Sequence, residues 1–189
     1  MRTKKDNTLA QAWQDPDGAP AGAVARCAQF LPEQDMNFRI SGLPAAQFAD
    51  WFALSDAELA HRHALRTVAD AAHAFPCRIS LTDAEIGQEV LLINYEHLAV
   101  ASPFRSRHAI YIRAGEATYD AVGRVPGMLR RRLLSLRGFD AAGMMVEADV
   151  CEGRDIEGLI ERQFANTTVA YLHAHIARPG CYAARIDRA

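Results

Sequence analysis

The residues that could do chemistry are concentrated near the end of the chain, in the run YLHAHIARPGCY at 171–182. Tyr171, His173 and His175 alternate with aliphatic residues, so a β-strand would place the three rings on one face. The aliphatic face suits the core, which predicts that both histidines project into a partly enclosed site on the opposite face. Imidazoles titrate near neutral pH, so these residues are candidates for catalysis or ligand binding. A hydrogen-bonded, purely structural polar face is the other interpretation, with Arg78 and Ser80 as predicted partners.

Two histidines separated by one residue can also chelate a metal ion from a single strand. Candidates for a third ligand are His97, Glu96, Cys77 and Cys181, all distant in sequence. The H-E-x-x-H motif of helical zinc sites is absent. A metal-binding protein that uses the His-x-His strand is therefore one alternative, and the identity of any cofactor stays open.

Cys77 and Cys181 are candidates for a catalytic nucleophile. A neighbouring cation favours the thiolate form of a cysteine, and Cys77 directly precedes Arg78 in FPCR. One of the histidines named above would have to serve as the base. The chain has four cysteines and no C-x-x-C pair, which predicts free thiols and no structural disulfide.

Arginines and tyrosines supply the candidates for holding a small ligand. Arg105 and Arg107 lie in SPFRSRH, a predicted loop that could bind a carboxylate or phosphate. Arg78, Tyr95 and Tyr171 could line the same cleft as the histidines. The first hypothesis is thus a small-molecule-binding or catalytic domain with a histidine-containing cleft. The second is a non-catalytic protein-interaction module, which a flat apolar patch remote from the histidines would favour.

Most of the elements that must position these residues are predicted to be strands. Apolar runs and period-2 alternation predict strands at 38–40, 78–81, 89–97, 110–113, 135–139, 144–150, 167–176 and 181–186. In the segment at 89–97 apolar residues occupy both faces of the predicted strand, which indicates a central strand. A turn at DAAG is expected to join 135–139 and 144–150 into a hairpin.

Helices are predicted between the strands. Pro44 and Pro126 stand where helices begin, the second helix extending to Leu133, and the S-x-x-E sequence at 55–58 is a capping box. Residues 154–166 carry an amphipathic stripe. Together these patterns predict a single α+β domain with a mainly antiparallel sheet and helices packed on it.

The net charge, the length of the apolar runs and the missing motifs argue against several classes of function. The chain has 189 residues and a formal net charge of -2, which argues against nucleic acid or an anionic membrane as a partner. No apolar run is long enough to span a bilayer, so a cytoplasmic location is expected. The P-loop, the dinucleotide-binding glycine motif and the nucleophile elbow are all absent. A small molecule is the partner that fits best, and the oligomeric state is left open.

The amino-terminal segment differs from the rest. Residues 1–35 are rich in Pro, Gly and Ala and lack a sustained period, which predicts a flexible tail ahead of a domain at 36–189. Met36 could be the true start of translation.

From Phe38 onward the chain resembles an uncharacterised bacterial family, domain of unknown function twelve-oh-three. The resemblance rests on FRISGLP, FALSDAEL, FPCRISL, EVLLINYEH, SPFRS, RRRLLSLR, AGMMVEADV and YLHAHIARPGCYAARIDRA. The family commonly has Gly-Pro where this chain has His108-Ala109. The resemblance implies a small bacterial single-domain protein and no particular activity.

Overall fold

A computed structural model describes residues 38–189 of the protein. The predicted tail at 1–35 and the alternative start at Met36 lie outside the described residues. The described part is mostly β, with two sheets and few helices. The predicted α+β class is therefore too rich in helix, whereas the predominance of antiparallel pairing is confirmed. Within 38–189 no helix combines the length and apolar character needed to cross a bilayer.

Eleven strands form the two sheets. They are β1 (Phe38–Ser41), β2 (Ala64–Val68), β3 (Pro76–Cys77), β4 (Thr82–Asp83), β5 (Glu89–Leu98), β6 (Ser106–Ile112), β7 (Asp120–Val122), β8 (Leu133–Phe139), β9 (Met145–Glu152), β10 (Tyr171–Ile176) and β11 (Tyr182–Arg188). The first sheet has the order β7-β1-β11-β10-β8-β9, and all its pairs are antiparallel. The second has the order β2-β5-β6-β3-β4 and is antiparallel except between β3 and β6.

The helices are short. They are a 3-10 helix at Ala45–Ala53, α1 (Asp56–His61), α2 (Gly127–Arg130), a 3-10 turn at Gly153–Asp155 and α3 (Ile156–Ala165). The predicted capping box is confirmed, since Ser55 Oγ accepts from Glu58 N at 3.3 Å while Glu58 Oε2 accepts from Ser55 N at 2.7 Å. α3 ends at Ala165 and is followed by Asn166 as its C-cap, in agreement with the predicted end of the amphipathic stripe.

The predicted strand at 78–81 is wrong. These residues form a turn between β3 and β4, with Leu81 at a φ of 51°. Their backbone bonds run to other segments, including Leu43 N to Arg78 O at 2.7 Å. Gly42 permits this close approach, because a Cβ there would lie 2.0 Å from Ile79 O. Tertiary hydrogen bonds thus replace the strand ladder that the alternation suggested.

The second helix is much shorter than predicted. α2 ends at Arg130, and Leu133 instead opens β8, where it pairs with Glu152. The predicted hairpin of β8 and β9 is confirmed, but the burial of β9 differs from expectation. Val146 and Val150 are 41% and 53% exposed because β9 is an edge strand whose valine face is left uncovered.

β10 lies between two different environments, and all six of its residues are buried. Leu172, Ala174 and Ile176 share a hydrophobic cluster with the buried face of α3, as the alternation predicted. The face that carries His173 and His175 meets residues of β5, β6 and β11 instead. The two histidines are thus placed where the two sheets pack together.

Candidate functional site

Four histidines meet between the sheets and define the histidine cluster: His97, His108, His173 and His175. The first two come from β5 and β6 of the second sheet, and the other two from β10 of the first. No histidine of the chain precedes residue 61, so the described residues contain all seven. His173 and His175 are only 2% and 0% exposed.

The registers of β5 and β6 explain how their histidines reach this position. Ile93 pairs with Ile110, and Tyr95 pairs with His108, so one face changes from apolar to polar along the two strands. His97 continues that face at a register shift between Glu96 and Leu98. Because a β-bulge redirects the side chain that it carries, this shift helps to aim His97 at the first sheet.

A second bulge lies on the opposite side of the cluster. The pairing of β10 with β11 shifts between Ala174 and His175, so that His175 faces Tyr182. The Tyr182 ring is buried and stacks on His97 at a centroid distance of 4.8 Å. His108 stacks on His97 at 4.6 Å and 7°. His97 is therefore held between two parallel rings.

Three of the histidines present converging nitrogens. One ring nitrogen from each of His97, His173 and His175 lies within 4.8 Å of the others. The closest pair comprises the Nδ1 atoms of His97 and His173, which are 3.4 Å apart. The rings of His173 and His175 are tilted by 63° and 78° from that of His97. Lone pairs lie in the ring planes, so such tilts allow them to point at a common centre.

Polar groups around the cluster orient these rings. Ser106 Oγ lies 3.1 Å from His97 Nε2, and Gly180 O lies 3.2 Å from His175 Nδ1. A carbonyl can only accept, so His175 Nδ1 carries the proton and Nε2 carries a lone pair. His175 Nε2 is buried and has no hydrogen-bond partner among the described residues, as is also true of His108 Nδ1. An unpartnered buried nitrogen is unfavourable unless something binds it.

Burial keeps the cluster neutral. Desolvation lowers the pKa of His97 and of His173 to about 3 and that of His175 to about 2, with further lowering by neighbouring charges. The pKa of His108 is also lowered, mainly by burial. At neutral pH each ring therefore carries one N–H and one lone pair, rather than the two N–H groups of a charged imidazolium.

Arg137 is a positive charge that acts on the whole histidine cluster. It lies directly opposite His173 on β8, and its charge contributes to the lowered pKa of all four histidines. Its side chain is half-buried, and burial lowers its own pKa. Among residues 38–189 it makes neither a side-chain hydrogen bond nor an ion pair.

Arg78 supports the cluster indirectly. Its side chain is buried and donates to the carbonyl oxygens of Pro76 and Tyr182, and to Cys181 Sγ at 2.9 Å. It thereby holds the backbone of the residue whose ring stacks on His97. The prediction that Arg78 and Ser80 hydrogen-bond the β10 histidines is wrong, because Ser80 instead contacts Thr82 at 2.7 Å and also Glu116.

The candidate cysteines occupy different environments. Cys77 is buried, its Sγ contacts Phe75 O at 3.6 Å, and burial raises its pKa to about 12, which disfavours a thiolate. Cys181 lines a cavity together with Arg78 and His108. Cys77, Cys151 and Cys181 are free thiols, as predicted. Cys27 lies outside the described residues.

The remaining predicted ligand-binding residues are not brought into the cluster. Arg105 pairs with Glu96 at 2.6 Å, and Arg107 contacts the Asn94 side chain at 3.3 Å, both at the surface. These contacts also leave Glu96 outside the group of possible metal ligands.

The two candidate tyrosines likewise serve other contacts. The Tyr95 hydroxyl lies 3.2 Å from Gln47 Oε1. Tyr171 stacks on Phe139 and lies under the Arg185 guanidinium at 4.0 Å. The rings of Tyr171, His173 and His175 are buried rather than exposed in an open cleft.

Several residues of the site were missed by the sequence reasoning. The sequence places Ser106 and His108 in the predicted SPFRSRH loop, where His108 also departs from the Gly-Pro of the family pattern, and assigns neither to the cluster with the β10 histidines. The available signal was the alternation of side chains along each strand. Ser106, His108 and Ile110 lie on one face of β6, and Ile93 and His97 lie on the same face of β5. Tyr182 and Arg137 had no local signal, because their roles depend on cross-strand pairing.

The fold and site together describe a mostly β domain with a buried histidine cluster between two sheets. The profile of the family described as "Protein of unknown function (DUF1203)" matches residues 74–188. The chain belongs to this family, and the match includes every residue of the histidine cluster. The resemblance seen from Phe38 onward is thus borne out over the larger, carboxy-terminal part. No curated protein and no solved structure matches the chain significantly.

Proposed function

We propose that the protein binds a divalent transition-metal ion through His97, His173 and His175. The observation that carries this proposal is the convergence of three ring nitrogens, one from each residue, within 4.8 Å, together with the buried and unpartnered Nε2 of His175. Imidazole nitrogen is a preferred ligand of zinc, copper, nickel and iron.

The spacing of the closest pair supports this assignment. Two nitrogens bound tetrahedrally at ~2.0–2.1 Å from a metal lie about 3.3 Å apart. The Nδ1 atoms of His97 and His173 are 3.4 Å apart. The other separations reach 4.8 Å, so His175 must turn toward its neighbours when an ion binds.

The surrounding hydrogen bonds match those of metal-binding histidines. Such residues typically use the second ring nitrogen to contact a backbone carbonyl, hydroxyl or carboxylate. His175 donates Nδ1–H to Gly180 O, and His97 Nε2 contacts Ser106 Oγ. The nitrogen opposite each contact, His97 Nδ1 or His175 Nε2, is the one that would bind a metal, and in His97 it would exchange its contact with His173 for the ion.

The stacking geometry favours three protein ligands over four in the proposed site. His108 lies parallel to His97, with an interplanar angle of 7°, so the in-plane lone pairs of the two rings do not converge. Three ligands leave a fourth position free, as in metal sites that bind water or substrate.

Titration of the metal-free, full-length protein with Zn²⁺ and Co²⁺ tests this proposal. We expect one ion per chain with a Kd at or below ~1 μM and visible Co²⁺ absorption typical of tetrahedral nitrogen ligation. His97→Ala should weaken binding by about 100-fold. His61→Ala removes an exposed histidine and serves as the matched control.

Two outcomes would contradict the proposal. One is the absence of stoichiometric binding at metal concentrations well above the expected Kd. The other is equal affinity in the wild type and in both His97→Ala and His175→Gln, which would place the metal elsewhere.

A further inference from the structure

A cavity of about 420 Å³ lies next to the histidine cluster and shares His108 with it. Its polar lining includes Arg78, Arg132 and Cys181. Its apolar lining includes Leu92, Tyr111 and Ile176. This volume falls within the range of cavities that bind small organic molecules, roughly 300–1,000 Å³.

Arg78 gives the cavity an uncompensated positive charge. The residue is 1% exposed, and no carboxylate forms an ion pair with it among the described residues. Its hydrogen-bond acceptors are two carbonyl oxygens and the Cys181 thiol. A buried cation without an anionic partner is costly, so a bound anion would stabilise this arrangement.

Arg132 lines the same cavity, but its terminal donors are already engaged, in part with Asp83, which also pairs with Arg131. Its guanidinium pairs with the buried carboxylate of Asp83 and donates to Met128 O and His73 O at 2.6 Å each. The guanidinium that has terminal donors left for a ligand is therefore that of Arg78. A guanidinium has five N–H donors, and three of those of Arg78 are used in the bonds described above.

We propose that this cavity binds a small organic anion whose carboxylate or phosphate group contacts Arg78. The apolar walls formed by Leu92, Tyr111 and Ile176 favour a ligand with a hydrophobic body over a bare inorganic anion. Arginine suits the acidic group because its planar donors match two oxygens at once.

Calorimetric and NMR titrations of the metal-free, full-length protein test this inference separately from the metal site. The probes are benzoate, phenyl phosphate, inorganic phosphate and benzamide, the neutral analogue of benzoate. We expect at least one aromatic anion to bind with a Kd below ~1 mM, with inorganic phosphate and benzamide at least ~10-fold weaker. The stronger aromatic anion identifies the acidic group.

A pair of variants locates the binding. Ala109 is exposed and lines the cavity, so Ala109→Trp should fill it without disturbing the core and weaken anion binding at least ~10-fold. Ala148→Trp places the same ring on the exposed edge strand β9 and should leave affinity within ~2-fold.

The inference is overturned if neither aromatic anion binds at ~10 mM, if benzamide or inorganic phosphate binds equally well, or if Ala109→Trp has no effect. Because no metal is present in these titrations, such a result would leave the proposed metal site untouched. Conversely, anion binding with no Zn²⁺ binding would refute only the metal proposal.

Discussion

The Nδ1 atoms of His97 and His173 lie 3.4 Å apart although 76 positions separate the two residues in sequence. One belongs to β5 of the second sheet and the other to β10 of the first. This contact therefore exists only when the two sheets pack correctly. Stability of the sheet interface and formation of the candidate site are consequently linked.

Replacing both β10 histidines should destabilise the metal-free protein. His173 and His175 are buried, and each contacts a polar partner, His97 Nδ1 or Gly180 O. We expect the double change to glutamine to lower the free energy of unfolding by about 2–4 kcal/mol, as measured by urea denaturation. His61→Gln, at an exposed position, should change it by less than ~0.5 kcal/mol. Unchanged stability in the double variant would show that these rings are not part of the packed interior.

Stability of the metal-free protein should fall as the pH decreases below about 6.5. The pKa of His97 and of His173 is about 3 in the folded state, against ~6.5 for an unfolded histidine. Between these two values the unfolded state binds protons that the folded state does not bind. For each such histidine, the free energy of unfolding decreases by up to ~1.4 kcal/mol per pH unit as the pH falls from 6.5 to 3.

Denaturant titrations between pH 8 and pH 5 measure this effect above the range in which carboxylates titrate. The double glutamine variant should show a smaller slope than the wild type, whereas His61→Gln should keep the full slope. A flat wild-type profile between pH 7 and pH 5 would contradict the buried, neutral state of the cluster.

The Ser106 hydroxyl should influence metal affinity without binding the ion itself. Ser106→Ala removes the group that lies 3.1 Å from His97 Nε2, and loss of such an orienting contact typically costs about 10-fold in affinity. Ser102 lies in the loop before β6, and Ser102→Ala removes its 2.8 Å hydrogen bond to Gly143 O in the turn between β8 and β9, which provides the control. Competition titrations with a Zn²⁺ chelator would measure both. Equal Zn²⁺ affinity in the wild type and Ser106→Ala would remove Ser106 from the site.

Arg137 should oppose metal binding because its charge acts on all four histidines of the cluster. Arg137→Gln is expected to tighten Zn²⁺ binding by about 5-fold, which corresponds to ~1 kcal/mol of relieved repulsion. Arg107→Gln removes an exposed arginine bonded to Asn94 and should leave the affinity unchanged. Competition titrations with a Zn²⁺ chelator would measure the affinities of both variants. Weaker binding in Arg137→Gln would mean that Arg137 supports the site in some other way.

The local pattern of β10 was informative because it depends only on neighbouring residues. Alternation predicted that His173 and His175 would lie opposite Leu172 and Ile176, and the aliphatic side does pack with α3. The same reasoning predicted the capping box at Ser55 and the β8–β9 hairpin. It failed at 78–81, where alternation suggested a strand but hydrogen bonds to distant segments produced a turn.

The sequence by itself determined which side chains β10 presents on each face, since a strand alternates its residues whatever surrounds it. Only the tertiary structure decided what those histidines face. The approach of His97 and His108, the stacking of Tyr182 and the position of Arg137 all depend on strand registers, bulges and sheet packing. These relationships join residues far apart in the chain, and no local period encodes them. Burial then followed from the packing, and it is burial that keeps the cluster neutral.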